Sequence, residues 1–308
     1  FAQARFVLTN KWEIQTGINA NQTSFKLENN FGDDNESHSY SYDLIWSPQI
    51  SLLFKPSDIK TIYFSASRGF SLPAIEETLT QNGTINSGIK PETGYNFEIG
   101  GKLFFMNRSL YAEASLYRME ITDLLVARRV GDDQYVGVNA GKTLHQGVEL
   151  QINYTTSIWK NISMTAQTGI SAGKYKFLEF VDEDNDYSGN DLTGVPASTV
   201  HGRLTFSYQK LFLSAEILSI DGFPINDANT VYTEKYALLN LKTGYKANLT
   251  KNLTAAISFG VNNATDTRYA SMALVNSTAF GNASPRFYYP GTPVNYYGNI
   301  SLSYAFNN

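Results

Sequence analysis

The segment LTAAISFGVN, Leu253 to Asn262, carries no charge and alternates between two kinds of side chain. Large apolar residues such as Ile257 and Phe259 are separated by small or polar ones such as Ser258. A period of two predicts a β-strand with one apolar and one polar face. Soluble sandwiches and membrane barrels both contain such strands, so the segment predicts β-structure and leaves open which medium its apolar face contacts.

The same alternation recurs along the chain, for example in residues 148–154, 200–208 and 300–306. We count about thirteen strand-like runs, with almost no helical periodicity between them. Their joints are alternately short and long, and the long ones are rich in Asn, Asp, Gly and Ser. The short joints are Thr9–Lys11, Lys55–Lys60, Met106–Ser109, Thr155–Asn161, Gln209–Lys210 and Ala247–Asn252. The long joints are Asn29–Glu36, Ser71–Lys90, Leu178–Gly194, Gly222–Glu234 and Thr267–Pro290, and Gly131–Gln134 belongs with them by its order in the chain.

Three features favour lipid as the medium around the apolar face. Runs such as Ser39–Lys55 and Leu110–Arg129 exceed the usual strand length of about five or six residues and supply the roughly 9–11 residues that a spanning strand needs. Short and long joints at opposite ends are typical of barrels with periplasmic turns and extracellular loops. Aromatic residues beside the short joints match an interfacial girdle; they are Trp12, Phe54, Tyr63, Phe104, Phe105, Tyr111, Tyr154, Trp159, Tyr208, Phe212 and Tyr245.

Composition narrows the function classes. The net charge is only −4, from 24 basic and 28 acidic residues, and no basic tract indicates a nucleic-acid partner. The chain has no cysteine, which excludes disulfides, thiol catalysis and cysteine-ligated metals. An odd number of strands does not close an ordinary single-chain bacterial barrel. We therefore expect residues 1–308 to be the C-terminal part of a larger barrel.

Several segments, in order, resemble the barrel of TonB-dependent outer-membrane receptors. SASRGFSLPAIEE (Ser65–Glu77) is similar to that family's Arg-Gly-Phe-x-x-Pro strand end, and IKPETGYNFEIGGK (Ile89–Lys102) is similar to its Leu-Lys-Pro-Glu-x-x-x-x-Tyr-Glu strand. YRMEITDLLV and VNAGKTLHQGVELQINY follow at the expected distance. Residues 236–271 resemble the late hairpin that ends in Asn-Asn-x-x-Asp-x-x-Tyr, and residues 288–306 resemble the closing strand with its terminal aromatic.

The resemblance implies an all-β fold, in which the chain is the C-terminal portion of a transmembrane antiparallel barrel of roughly 22 strands closed by a plug. The plug domain and the earlier strands are expected to be absent from residues 1–308. The implied function is active import of a scarce ligand, a siderophore-like ferric chelate, across the bacterial outer membrane, with no tightly bound cofactor. The implied partners are outer-membrane lipid and lipopolysaccharide, the receptor's own plug, TonB through an N-terminal box, and the extracellular ligand.

Five charged strand residues lie on the phase opposite the apolar side chains. An arginine or lysine that faces hydrocarbon near the bilayer midplane costs about 2–4 kcal/mol, so we expect these residues to face the lumen. Hydrogen bonding to a plug and solvation in a wet lumen both remain open as their role. The residues are Glu98, Lys102, Glu149, Arg203 and Glu216.

Ligand contacts are expected from arginine and tyrosine residues in and beside the long joints. The candidates are Arg128, Arg129, Tyr135, Arg286 and Tyr288. Guanidinium groups bind carboxylates or other anions through paired hydrogen bonds. These arginines, together with Arg268, therefore favour an anionic chelate as the ligand. The alternative is that they only form a charged rim of the loops. The acidic segment Asp182–Asp191 would favour a cation instead.

Metal ligation has one weak candidate. Asp182, Asp184 and Asp186 form a D-x-D-x-D array of the kind that binds Ca²⁺, but Tyr187 stands where an EF-type loop requires glycine. A solvated acidic loop is the alternative. Haem receptors of the resembled family carry a histidine between their Phe-x-x-Pro and Asn-Pro-type motifs, and residues 74–88 contain none, which argues against haem as the ligand.

Two functions of other classes remain open. A barrel enzyme, such as a lipase or protease, needs a nucleophile, a base and an orienting acid near a strand end. His201 beside Ser198 and Thr199 is the nearest arrangement, and the sequence places no acid to orient it. A soluble β-rich binding module is the other alternative, and solubility of the chain without detergent would indicate it.

Overall fold

The chain is almost entirely β-structure in the computed structural model, which describes residues 1–28, 37–74, 76–78, 85–86, 88–131, 134–182, 185–277 and 288–306. Two short 3₁₀ turns, Glu76–Thr78 and Met106–Arg108, are the helical segments within these ranges. A helix with the length and apolar character to cross a membrane is not found in the described ranges. The predicted all-β fold is confirmed.

The strands follow one another with few irregular stretches in the described residues. They are β1 (Ala2–Val7), β2 (Trp12–Asn21), β3 (Ser24–Glu28), β4 (Ser37–Ser41), β5 (Ile45–Ser57), β6 (Lys60–Ser71), β7 (Glu92–Phe105), β8 (Leu110–Gly131), β9 (Gln134–Trp159), β10 (Ile162–Glu179), β11 (Val181–Asp182), β12 (Asn185–Asp186), β13 (Ser198–Tyr208), β14 (Leu211–Ile220), β15 (Tyr236–Asn248), β16 (Leu253–Asn262), β17 (Ala270–Ala273), β18 (Tyr288–Pro290) and β19 (Asn295–Tyr304).

Thirteen of these strands form the main sheet, in the order β1-β2-β5-β6-β7-β8-β9-β10-β13-β14-β15-β16-β19. The count and the order of the joints agree with the sequence prediction. Three small hairpins were not predicted: β11–β12 and β17–β18 lie inside long joints, and β3–β4 flanks the joint Asn29–Glu36. The run Ser39–Lys55, predicted as one strand, is interrupted after Ser41 and resumes as β5 at Ile45. The main sheet is therefore a meander whose successive joints fall at alternate strand ends.

The chain divides into two compact units. The first comprises Phe1–Gly100, Leu116–Gln146 and Lys174–Asp191, and the second comprises Gly101–Ser115, Gly147–Gly173 and Leu192–Asn308. β7, β8, β9 and β10 contribute residues to both. The strands β13 to β16 and β19, with the pairings between them, lie wholly in the second unit. The strands β1, β2, β5 and β6, with theirs, lie wholly in the first.

Each sheet strand has an apolar face and a polar face, as the alternation predicts. In β16, Ile257 pairs with Ile300 of β19, and Ser258 pairs with Asn299. The apolar side chains lie outside: Ile257 is 56% exposed and Ile300 is 74% exposed. In a soluble sandwich this face would be the buried core, so the structure favours lipid as its medium.

The buried apolar residues lie mostly outside the exposed apolar face of the sheet. Apart from Leu144, which lies within β9, they occur in the long joints or near the strand ends beside them. Among the described residues they are Tyr42, Ile45, Ile89, Leu144, Phe177, Phe180, Leu192 and Ile225. Ile225 is 0% exposed and Ile89 is 2% exposed. The long joints are thus packed in the way that soluble proteins are packed, with apolar side chains inside.

Several aromatic residues beside the short joints lie on the polar face rather than in the predicted girdle. The ring of Tyr63 covers Gly100, and the ring of Phe212 covers Gly244, its register partner. A Cβ added at Gly244 would lie 2.5 Å from the Phe212 ring. Glycine is needed here because the ring occupies the space of a side chain. The girdle itself includes Trp12 and Phe54, which are stacked with centroids 4.5 Å apart.

Candidate functional site

The polar face carries an ion-pair cluster in the second unit. Arg203 and Glu216 are register partners on β13 and β14, and Nη2 of Arg203 lies 2.7 Å from Oε2 of Glu216. His201 joins them, because its Nε2 lies 2.9 Å from the other oxygen, Oε1. The two residues predicted to face the lumen therefore contact each other and share one side of the sheet with Asn240, the partner of Glu216 on β15.

This cluster corrects one expectation from the sequence. An acid does orient His201, since Glu216, the register partner of Arg203, reaches it diagonally across the β13–β14 pair; sequence distance concealed this contact. The hydroxyl of Ser198 instead donates to Asp221, at 3.4 Å. The histidine and the carboxylate are thus members of a charge cluster with Arg203, and Ser198 is occupied elsewhere.

The other predicted lumenal residues have different neighbours. Glu98 accepts a hydrogen bond from the Tyr63 hydroxyl, and Nζ of Lys102 lies 2.9 Å from Oε1 of Glu113. Glu149 is exposed and forms no ion pair with a described residue. The sequence did not identify Glu13, although it is only 4% exposed, because its two cations, Arg5 and Lys55, come from neighbouring strands on either side.

The Asn-Asn-x-x-Asp-x-x-Tyr segment, residues 262–269, begins at the last residue of β16 in the second unit. Hydrogen bonds from this segment close the loop that carries β17 and β18. Asn263 is buried, and its side-chain amide donates to the carbonyl oxygens of Thr267 and Thr292, at 2.9 and 3.1 Å. Asp266 accepts a hydrogen bond from the backbone N–H of Val294, at 3.0 Å. These bonds fix the start and the end of the segment around β17 and β18, and so position Tyr269.

An aromatic cavity of about 610 Å³ lies beside this loop. Tyr269 packs on Tyr236 with centroids 5.1 Å apart. Ile220 and Tyr236 are register partners, and both share the phase of Glu216 and Asn240, so the cavity opens on the polar face of the sheet. Its lining is Pro196, Ile220, Phe223, Tyr232, Thr233, Glu234, Tyr236, Arg268, Tyr269, Ala270, Ser271, Met272, Ala273 and Tyr288.

The cavity contains one predicted ligand-binding residue and one cation. Tyr288 lines it, and its hydroxyl donates to the Tyr232 carbonyl oxygen at 3.4 Å. Arg268 is exposed and forms no ion pair with a described residue, whereas Glu234 adds a negative charge to the lining. The combination suits a ligand with aromatic rings and at least one anionic group.

The remaining predicted ligand residues have no described side chains. Arg128, Arg129 and Tyr135 lie on β8 and β9, but their side chains are outside the described part of the chain, as is the whole of Arg286. The arginine clamp therefore stays a prediction. The sequence did not identify Tyr232, Tyr236 and Tyr269 as one group, because separate segments contribute them; the density of tyrosine near the long joints was the available signal.

The calcium candidate also stays a prediction. Asp182 pairs with Asn185 and Asp186 pairs with Val181 on the β11–β12 hairpin, which directs the two aspartates to opposite faces. Hydrogen bonding from Ser188 lowers the pKa of Asp186. Asp184 lies outside the described residues. Within those residues, no group of three or more histidine or carboxylate side chains is arranged to hold a metal ion.

Comparison with known proteins shows the family. The family described as "TonB dependent receptor-like, beta-barrel" matches residues 1–264. The probable TonB-dependent siderophore receptor PiuA of Acinetobacter baumannii is 26% identical over 294 residues, which cover 88% of this chain and 37% of that protein. The chain therefore spans well under half the length of this relative.

Solved structures share the fold. The crystal structure of PiuA from Acinetobacter baumannii superposes with a TM-score of 0.71 at 19% identity, over 96% of this chain and 41% of that one. The copper transporter OprC gives 0.74 at 16% identity, over 99% and 46%. The ferric citrate transporter FecA gives 0.72 at 18% identity, over 96% and 43%. The chain belongs to the TonB-dependent receptor β-barrel family of the Gram-negative outer membrane.

Proposed function

We propose that the chain is the barrel portion of a receptor that binds a ferric chelate outside the cell and imports it with energy delivered through TonB. The observation that carries the proposal is the tyrosine-lined cavity with Arg268, which opens on the polar face at the long-joint end. The cavity size lies within the roughly 300–1,000 Å³ of small-molecule sites. The family consists of transport receptors rather than enzymes, which supports import over catalysis.

The relatives support iron as the cargo without fixing it. PiuA is named a siderophore receptor and FecA a ferric citrate transporter, whereas OprC is named a copper transporter. The chemistry of this cavity favours an anionic chelate with aromatic rings, because Arg268 supplies a charge-assisted hydrogen bond and the tyrosines supply ring faces. A plug domain, TonB and outer-membrane lipid are the partners that such a receptor requires.

Binding of ferric chelates to the complete receptor tests this proposal. We expect an anionic ferric tris-catecholate to bind, and Arg268→Gln to weaken it by about tenfold, which corresponds to about 1.4 kcal/mol. Tyr236→Leu is expected to weaken aromatic chelates more than ferric citrate. Lys160→Gln, at a short joint, is the control and is expected to bind normally. Arg128→Ala and Arg129→Ala test the separate clamp. The proposal is wrong if no ferric chelate binds, or if Arg268→Gln and Tyr236→Leu leave every affinity unchanged.

A further inference from the structure

One carboxylate connects three long joints of the second unit. Asp227 lies in the joint between β14 and β15, and its Oδ1 accepts a hydrogen bond from the hydroxyl of Thr193, in the joint between β10 and β13. Its Oδ2 accepts a hydrogen bond from the side-chain amide of Asn276, in the joint between β16 and β19, at 2.9 Å. We call Thr193, Asp227 and Asn276 the joint lock, because the two oxygens of one side chain hold segments that are far apart in the sequence.

The contact between Asp227 and Asn276 is reciprocal. The backbone N–H of Asp227 donates to Oδ1 of Asn276 at 3.1 Å, while Nδ2 of Asn276 donates back to the carboxylate. Asn276 has a φ of 50°, in the left-handed region that asparagine and aspartate adopt more readily than most residues. The pair requires one amide and one carboxylate, because two carboxylates at this distance would repel each other.

Backbone hydrogen bonds and close packing connect the same three joints. The N–H of Gly194 donates to the carbonyl oxygen of Pro224, and the N–H of Asn276 donates to that of Ile225, both at 2.8 Å. Ile225 is 0% exposed. A Cβ added at Gly194 would lie 3.2 Å from Cγ1 of Val275, so the first joint also packs against the third. Each joint therefore contacts both of the others.

These joints also supply the walls of the tyrosine-lined cavity. Phe223 and Tyr232 line it from the joint between β14 and β15, and Met272 and Tyr288 line it from β17 and β18. Pro196, just beyond the joint between β10 and β13, lines it from a third side. The residues of the joint lock are not part of this lining. The lock therefore sets how far apart the walls stand from outside the cavity itself.

We propose that Asp227 is a positioning residue for ligand binding: the joint lock holds the cavity walls at their binding separation before the ligand arrives. This inference rests on the proposed function, because it takes the cavity as the ligand site. A site that already has its bound shape loses less conformational freedom when the ligand binds. Affinity then falls in proportion to the fraction of receptors that have this shape, so Asp227 contributes to affinity through Thr193 and Asn276.

Exchanging the amide and the carboxylate between positions 227 and 276 tests the lock in the complete receptor. Asn276→Asp sets two carboxylates against each other and is expected to open the lock. Adding Asp227→Asn again places one amide opposite one carboxylate, and the new amide can donate to the hydroxyl oxygen of Thr193. The double variant is therefore expected to close the lock, which a substitution that merely damages the fold would not allow.

Amide hydrogen exchange and ligand binding are measured on the same variants. The N–H groups of Gly194, Asp227 and Asn276 all donate from one joint to another, so Asn276→Asp is expected to speed their exchange together. Binding of a ferric tris-catecholate should weaken about tenfold, as it would if about a tenth of the receptors kept the binding shape. The double variant should regain slow exchange and binding.

Thr230→Ala is the matched control. It removes a hydrogen bond of 2.6 Å from the Asn226 side chain that stays within the joint between β14 and β15. We expect this variant to bind the chelate normally and to leave exchange at the three N–H groups unchanged. An effect as large as that of Asn276→Asp would show that any disturbance of this joint has the same result, and would overturn the inference.

The two measurements separate the possible failures. Faster exchange confined to the joint that carries Asn276 would overturn the lock, because the three joints would then move independently. Unchanged binding despite faster exchange in all three joints would overturn the positioning role, as would a double variant that regains neither property. If the wild-type receptor binds no ferric chelate, the proposed function and the positioning role are both wrong, and the exchange pattern alone confirms or refutes the lock.

Discussion

The main sheet and the long joints differ in where their apolar side chains lie. In the sheet, Ile257 and Ile300 project outward and are more than half exposed. In the long joints, Ile89 and Ile225 are almost completely buried. The difference shows that two parts of one chain fold in different media. The apolar side chains of the sheet face lipid, whereas those of the long joints are kept from water by packing against one another.

The largest expected effect comes from the long joints. Ile225→Ala removes a side chain that is 0% exposed, and such substitutions cost about 2–5 kcal/mol. We expect residues 222–234 to exchange amide hydrogens faster and to become sensitive to protease. The control, Ile257→Ala in the sheet, should cost far less in detergent micelles, because detergent refills the space. Equal losses of stability in the two variants would break the comparison.

The two faces of one strand give the next effect. Ile257→Arg places a charge on the apolar face and is expected to destabilise the folded receptor by about 2–4 kcal/mol. Ser258→Arg adds the same charge to the polar face, beside Asn299, and should be tolerated much better. Urea unfolding of the receptor in lipid vesicles measures both. Similar unfolding midpoints would mean that lipid does not distinguish the faces.

Crowding on the polar face gives a smaller effect. Gly244→Ala would bring a Cβ within 2.5 Å of the Phe212 ring, and overpacking of this kind costs about 1–3 kcal/mol. Gly169 is a polar-face glycine of β10 with nothing within 4 Å of an added Cβ. Gly169→Ala is therefore the matched control, and its melting temperature should be unchanged or slightly higher. A loss of stability in both would indicate that strand propensity, not the ring, is responsible.

The smallest effect concerns the short joints. Gln209 has a φ of 52° in the turn between β13 and β14, a conformation that costs an ordinary residue roughly 1–2 kcal/mol and glycine almost nothing. Gln209→Gly should stabilise the turn by less than about 1 kcal/mol, because glycine also gains freedom in the unfolded chain. Lys210→Gly, without that strain, should be slightly destabilising. Unfolding midpoints that rank the two the other way would contradict the assigned turn.

The strands and joints were predictable because their signals are local. A period of two fixes which residues of β16 share a face, and clusters of small polar residues mark the joints. The three small hairpins and the tyrosine-lined cavity were not predictable in this way. Tyr269 packs on Tyr236 at the end of a loop that hydrogen bonds of Asn263 and Asp266 close, and the sequence does not state these bonds. Glu13 likewise gains its two cations from strands whose register the sequence does not state.

On the polar face, aromatic rings lie over glycines of the neighbouring strand. This pairing sets how far the side chains of that face extend from the backbone of the sheet. The Phe212 ring lies over Gly244 and occupies the space that a Cβ would take there. Tyr297 lies in the same way across Gly260, its register partner. The height of the polar face at these positions therefore depends on two glycines, which have no side chain. A methyl group at either glycine would meet the ring and push it away from the backbone, so a substitution that adds no charge would raise the surface of the polar face.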